Sequence, residues 1–279
     1  MDLNTFYPII AGALSGATSA GVFKGPIQTL EDWWYINFGH SVSEKANLLR
    51  AQQNINIEKL KDETLSEIIK IQPENVQDPK LRILGPALEA SKFYIEEDEI
   101  RSMFAKLIAS SLDSSKNSNF HASFVEIIKQ MDPIDAENLS YIFNNNYNAI
   151  CNIRENLPTG SYFVLYKHVF ISNTNQTDHE TQSASLTNLE RLGLISISYS
   201  QHFNDQDIYN QFKSCKQYID AKAKIDNDNA LLESGNTNLP QYLEEEMRKK
   251  SQKFSGPSIE KGIIQITPLG HHFCEICIK

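Results

Sequence analysis

The segment His271-His272-Phe273-Cys274-Glu275-Ile276-Cys277 holds the densest set of metal-ligating side chains in the chain. On a helix, Cys274 and Cys277 share a face and His271 precedes Cys274 by three, so three donors line one stripe. Zinc asks for three or four nitrogen or sulfur donors in a tetrahedron. The other two cysteines, Cys151 and Cys215, form no second CxxC pair. The competing reading is a terminal helix that buries its thiols. No metal and no cofactor are expected, and His271, Cys274 and Cys277 are the residues that would hold a metal.

Other reactive arrangements are missing at the level of sequence. There is no GxxxxGKS/T phosphate loop, no GxSxG nucleophile elbow and no HExxH zinc motif. Gly12, Gly16 and Gly21 do not make a GxGxxG. His121 is close to Ser123, but within one helix their side chains would point to different faces. Glu96-Glu97-Asp98-Glu99 reads as a helix start, where acids favour the positive end of the dipole. The expectation is a protein without catalytic residues.

Charge narrows the partners. The 279 residues carry 26 basic and 35 acidic side chains, a net −9. The excess is even, −5 over residues 1–132 and −4 over the rest, so neither half offers a phosphate-neutralising surface. Arg248, Lys249, Lys250 and Lys253 form one basic cluster, but Glu244, Glu245 and Glu246 precede it at offsets that suit pairing along a helix. A nucleic-acid partner is therefore not expected. Hydrophobic residues at 41% and charged residues at 22% fit one large or two small globular domains and exclude a disordered or fibrous chain.

Asp2 stands where a secretory leader would be positive, which predicts a cytoplasmic protein with reduced cysteines. Leu3 to Phe23 is uncharged and long enough to span a bilayer, and Gly12 and Gly16 form a GxxxG that lets helices approach closely. Asn4, Thr5, Pro8, Ser15, Thr18 and Ser19 interrupt it, which favours a buried helix and leaves membrane association through residues 3–23 as the alternative. Trp33 and Trp34 suit a core, a partner groove or a membrane interface.

The elements that would position these residues are mostly helical. Residues 1–25 read as one Gly/Ala-rich helix. Residues 26–132 read as a helical bundle. Within it, Glu44 to Ile71 has helical spacing with a break near Asn54 or Asp62, and Pro73, Pro79 and Gly85-Pro86 mark a connector. Ile100, Met103, Phe104, Leu107, Ile108 and Ser111 trace one face of the clearest helix, and Phe120 to Met131 gives a second. Asp132-Pro133 opens another, with Asp as cap and Pro in the first turn.

Residues 133–279 change character. Tyr162 to Tyr166 has strand composition after a Pro158-Thr159-Gly160 turn. Thr181 to Leu192 is helical and ends at Gly193. Leu194 to Ser200 alternates as a strand, and Gly262 to Ile266 is its antiparallel mate. This order is that of a winged helix whose two wing strands are separated by a helical insertion over 201–261. The fold class expected is mainly α (α+β). In the recognition-helix position, Gln182, Asn188 and Arg191 are the residues that would read DNA. Glu180 and Glu190 oppose a phosphate backbone there, so a protein-binding role is favoured.

The run Pro86 to Ser91, the acidic start Glu96 to Arg101, and Met103-Phe104-Ala105-Lys106-Leu107-Ile108-Ala109-Ser110-Ser111 resemble the core signature of the bacterial abortive-infection alpha (Abi-alpha) family. Phe120 to Met131 is similar to its HPSFvdIIKQL segment, with Ala122 where that segment often has proline, and Asp132 to Ala136 resembles its next helix start. The resemblance is close over residues 81–140. It implies a role in phage defence, in which an infected cell stops growing or dies before the phage matures, and it supplies no active site. The function expected is non-enzymatic and works through a protein partner, either a phage component or a toxic effector. Self-association is compatible with it. The alternatives are a membrane-inserting effector using the Gly-rich helix and a winged-helix DNA-binding regulator.

Overall fold

The computed structural model describes residues 47–157, 160–172, 178–234, 245 and 253–279. The chain divides into two compact units: the described residues up to Ser140 with Pro268–Lys279, and Tyr141–Thr267. Gly12, Gly16, Trp33, Trp34, residues 3–23 and the basic cluster at 248–250 lie outside the described residues. Among those described, no helix is long and apolar enough to cross a membrane.

In the first unit, Leu60, Thr64, Leu65 and Ile68 share the buried side of helix α1 (Asn47–Ile68). The helix runs unbroken, against the expected interruption near Asn54 or Asp62. Asp62 points to solvent, and Thr64 ties its hydroxyl back to the Leu60 carbonyl at 2.7 Å, so neither disturbs the ladder. Gly85 and Pro86 do not punctuate a connector either. They lie inside α2 (Leu81–Ser91), where Pro86 forgoes one main-chain bond while Ile83, Leu84, Ala87 and Leu88 on either side are buried.

The centre of this unit is α3 (Asp98–Ser110), which packs against α1, α2, α4 (Phe124–Ile128) and the last helix, α9 (Pro268–Cys277). The face expected from spacing is the buried one: Ile100, Met103, Phe104, Leu107, Ile108 and Ser111 are each at most 2% exposed. Each large apolar side chain removed from water there contributes roughly 1.5–3 kcal/mol. Phe124 and Phe273 meet edge to face at 5.3 Å, joining α4 to α9. The helix expected from Phe120 to Met131 is shorter, because Ser114–Asn119 forms a 3-10 turn and His121 lies in the turn that follows. Helix α5 (Pro133–Asn144) starts at the expected proline, and the Asp132 N–H donates to Asp135 Oδ2 at 3.0 Å.

The second unit is built on an antiparallel sheet of order β2-β1-β4-β3. Strand β1 is Ala149–Asn156, β2 Tyr162–Val169, β3 Ile195–Ser198 and β4 Ser258–Ile266. The expected pairing of β3 with β4 is present, Ile195 opposite Ile266 and Ile197 opposite Ile264. Strand β1, absent from the sequence reading, lies between β2 and β4 and carries Asn152, Arg154 and Glu155 in buried or half-buried positions. Helix α6 (His179–Arg191) precedes β3 and ends at Gly193, whose φ of +74° is the left-handed cap expected of it. Between β3 and β4 come α7 (Gln206–Asn210), a 3-10 turn (Gln211–Ser214) and α8 (Lys216–Ser234). Tyr209, Phe212 and Ala221 from these elements bury Cys151, Ile153 and Val169 of the sheet.

Candidate functional site

Strand β2 pairs only with β1, so no described strand covers its outer main-chain edge. Its first three residues, Tyr162, Phe163 and Val164, are 48%, 47% and 44% exposed. Its last two, His168 and Val169, are buried. One strand thus carries an apolar surface patch at one end and a polar core at the other.

Two irregularities separate these ends. Between Cys151 and Ile153 of β1, β2 advances three residues, Val169 to Tyr166; between Ile153 and Arg154 it advances two, Tyr166 to Val164. At the first bulge His168 takes φ +55°, uncommon for a residue with a side chain. Its N–H donates to Asn152 Oδ1 at 3.0 Å. Asn152 Nδ2 in turn donates to Glu260 Oε2 at 2.7 Å. Glu260 is ion-paired with Arg154, and the Arg154 guanidinium lies 3.8 Å from the centre of the Tyr162 ring. A continuous polar chain therefore runs from the buried bulge to the first exposed aromatic of the edge.

The other end of this chain is a pair of neutral groups. His168 Nδ1 and the Tyr199 hydroxyl are 2.9 Å apart, and the rings stack at 5.9 Å. Burial, with the neighbouring Lys167 charge, pushes His168 down to about 4, so the imidazole is uncharged at neutral pH. Burial pushes the Tyr199 phenol above its ordinary range. The same cause raises the Cys151 thiol, which keeps it protonated. Neutral imidazole, neutral phenol and one ion pair make a positioning scaffold. The arrangement links the bulge of β2 to the Tyr162 ring through side-chain contacts.

Beside β2, the outer side of α6 and Lys167 line an open cleft of 520 Å³. Asp178 caps α6 by accepting from the Thr181 N–H at 2.9 Å, which starts the helix two residues before the expected Thr181. Of the three recognition-helix residues, Asn188 and Arg191 line this cleft and bond to each other, Arg191 Nε to Asn188 Oδ1 at 3.0 Å. Gln182 is 5% exposed on the opposite, inner side. Glu190 accepts from the Ile197 N–H at 2.9 Å and so serves the fold of the β3 edge.

The remaining sequence candidates fall in the first unit. Cys274 and Cys277 are buried on the inner side of α9, whereas His271 is exposed, so the three do not converge. Among the described residues no group of three or more His, Cys, Asp or Glu is placed to hold a metal ion. Burial pushes the Cys274 thiol up to about 12 and raises that of Cys277 well above its ordinary value. His121 and Ser123 depart from expectation: they are not on diverging helix faces but meet at 2.7 Å, Nδ1 to Oγ. The Ser123 N–H also donates to that Nδ1 at 3.2 Å, so the ring nitrogen is an acceptor closing the turn before α4.

Asn152, Arg154, His168, Tyr199 and Glu260 were not singled out by sequence. They are spread over four segments, and only pairing of the strands joins them. The one local signal was Gly262, two residues from Glu260 on β4: a Cβ there would lie 2.7 Å from the Ser198 carbonyl oxygen and from the Tyr199 ring.

Comparison with protein families matches the abortive infection alpha family over residues 52–277, which covers most of the chain. The chain belongs to that family. Membership ties the chain to abortive infection, the phage-defence setting expected from residues 81–140, and extends the Abi-alpha likeness to the residues of the sheet. Comparisons with curated proteins and with solved structures return no match.

Proposed function

We propose that this chain is a non-enzymatic abortive-infection protein that works by binding another protein, a phage component or a toxic effector, in the cytoplasm and without a cofactor. The observation that carries the reading is the half-exposed run Tyr162-Phe163-Val164 on a sheet edge that no described strand covers. Edge strands with apolar side chains add strands from other chains, and proteins that do not use such an edge blunt it with charge or proline. Here the polar chain through Arg154 holds Tyr162 in place instead.

The same reading treats residues 26–132 as the helical bundle and the second unit as a winged helix modified for protein contact. Support for the latter is that α6 leads into β3 and that β3 returns against β4 after a helical insertion. Strands β3 and β4, the wing strands in this reading, pair antiparallel at four positions.

The test substitutes Phe163→Lys and Val164→Lys together. Both side chains are exposed, so the protein keeps its circular dichroism spectrum and melting temperature. Plaque protection in cells and recovery of a cross-linked partner should both fall by an order of magnitude. Full protection by the folded double variant refutes the reading.

A further inference from the structure

The first unit holds a cavity of 220 Å³ that has no part in the edge-strand reading. Four lysines from separate elements line it: Lys70 just after α1, Lys106 on α3, Lys116 in the 3-10 turn and Lys279 after α9. Three carboxylates share the lining. Glu67 pairs with Lys70 at 2.7 Å, and Glu275 pairs with Lys279 at 3.3 Å. Asp113 is engaged by the Ser115 N–H at 2.9 Å and the Ser115 hydroxyl at 2.6 Å.

Lys106 and Lys116 are the two cations whose bonds go to uncharged oxygens. Lys106 donates to the Ile278 carbonyl. Lys116 donates to Ser110 Oγ at 3.1 Å and to the Glu275 carbonyl at 3.3 Å. These carbonyls end α9, and a helix C-terminus offers about half a negative charge against the two positive ones. Burial lowers the Lys106 ammonium; the Glu67 carboxylate opposes that shift, and repulsion from Lys70 and Lys116 adds to it. Four lysines thus face three carboxylates and the end of α9, which balance most of the charge in the lining, while Lys106 and Lys116 themselves make no ion pair with a carboxylate among the described residues.

We propose that this cavity binds a phosphate-type oxyanion, with Lys106 and Lys116 as its main charge partners and the Ser110 hydroxyl beside them. The volume equals that of about seven waters, enough for one phosphoryl group and below the roughly 300 Å³ at which pockets for drug-sized ligands begin. Lys70 and Lys279 are 65% and 68% exposed, so anything attached to the phosphoryl group extends into solvent.

The experiment titrates the full chain with inorganic phosphate and, separately, with adenosine monophosphate, following amide shifts by NMR in chloride buffer. Saturable binding is expected at residues around 106–116 and 275–279. It should weaken at least tenfold in Lys116→Gln, whose side chain lies on a surface turn, and further in Lys106→Gln/Lys116→Gln. Should the double variant fail to fold, Lys70→Gln/Lys116→Gln replaces it. Phosphate binding alone identifies the free ion as the source, and tighter adenosine monophosphate binding with the same lysine dependence identifies a nucleotide phosphate; both support the site. Absence of saturable binding by either at 10 mM, about 100 times a roughly 0.1 mM Kd, or affinity unchanged in Lys116→Gln, overturns it.

Discussion

The Tyr199 hydroxyl lies 2.9 Å from His168 Nδ1, and the chain between them passes through a whole helix, α6. The bond ties the bulge of β2 to the residue just beyond β3, the opposite edge of the sheet. Burial holds both groups neutral near pH 7, with one donating and the other accepting across the bond.

That condition gives a pH signature. Above about pH 6.5 His168 is neutral in both folded and unfolded chains, and its contribution to stability is complete. Between 6.5 and about 4 the unfolded chain takes a proton that the folded one refuses, so stability falls as pH falls; below 4 the loss levels off. The slope should be of the order of 1 kcal/mol per pH unit in that window. Urea melts of wild type and His168→Asn across pH 4–7 check it. Asn tolerates the left-handed backbone and does not titrate, so its stability should be flatter over the same range.

Gly262→Ala tests the packing behind the same bond. A methyl group would meet the Ser198 carbonyl oxygen and the Tyr199 ring, each at 2.7 Å, and a main-chain oxygen in a strand cannot yield far. A loss of roughly 2–3 kcal/mol is expected. Thermal melts measure it, and an NMR shift of the His168 ring shows whether the Tyr199 contact goes with it.

In the first unit, Arg101 is 4% exposed and bonds Glu63 Oε1 through Nε and a terminal nitrogen, at 3.0 and 2.8 Å, and the Ile95 carbonyl at 3.1 Å. Arg101→Met fills the volume but strands the carbonyl and the carboxylate. Because Glu63 is one-third exposed, water recovers part of the loss, and about 2 kcal/mol is expected. A double-mutant cycle with Glu63→Gln should return a coupling near 1 kcal/mol.

Thiol chemistry separates the cysteines. Cys151, Cys274 and Cys277 are buried and their thiols are raised by burial; Cys215 is half-buried. Native protein at pH 8 should release at most one equivalent of thionitrobenzoate from Ellman's reagent within minutes, and denatured protein all four. Fast reaction of a second thiol in the native state would show that α9, which carries Cys274 and Cys277, or the sheet around Cys151 opens.

Sequence by itself determined the helical face of α3, the start of α5 at Pro133, the Gly193 cap and the pairing of β3 with β4. Each of these rests on neighbours a few residues apart, where periodicity and turn chemistry act directly. The family likeness over 81–140 was legible for the same reason: that stretch is a run of locally patterned helices. Strand β1 was not legible, since Asn152, Arg154 and Glu155 interrupt its apolar run and find their partners only at His168, Glu260 and Lys224. Only the tertiary structure decided the polar chain of β2 and the lysine-lined cavity. Each joins side chains separated by tens to more than a hundred residues, and a charge or hydrogen-bond partner at that separation leaves no periodic trace in the chain.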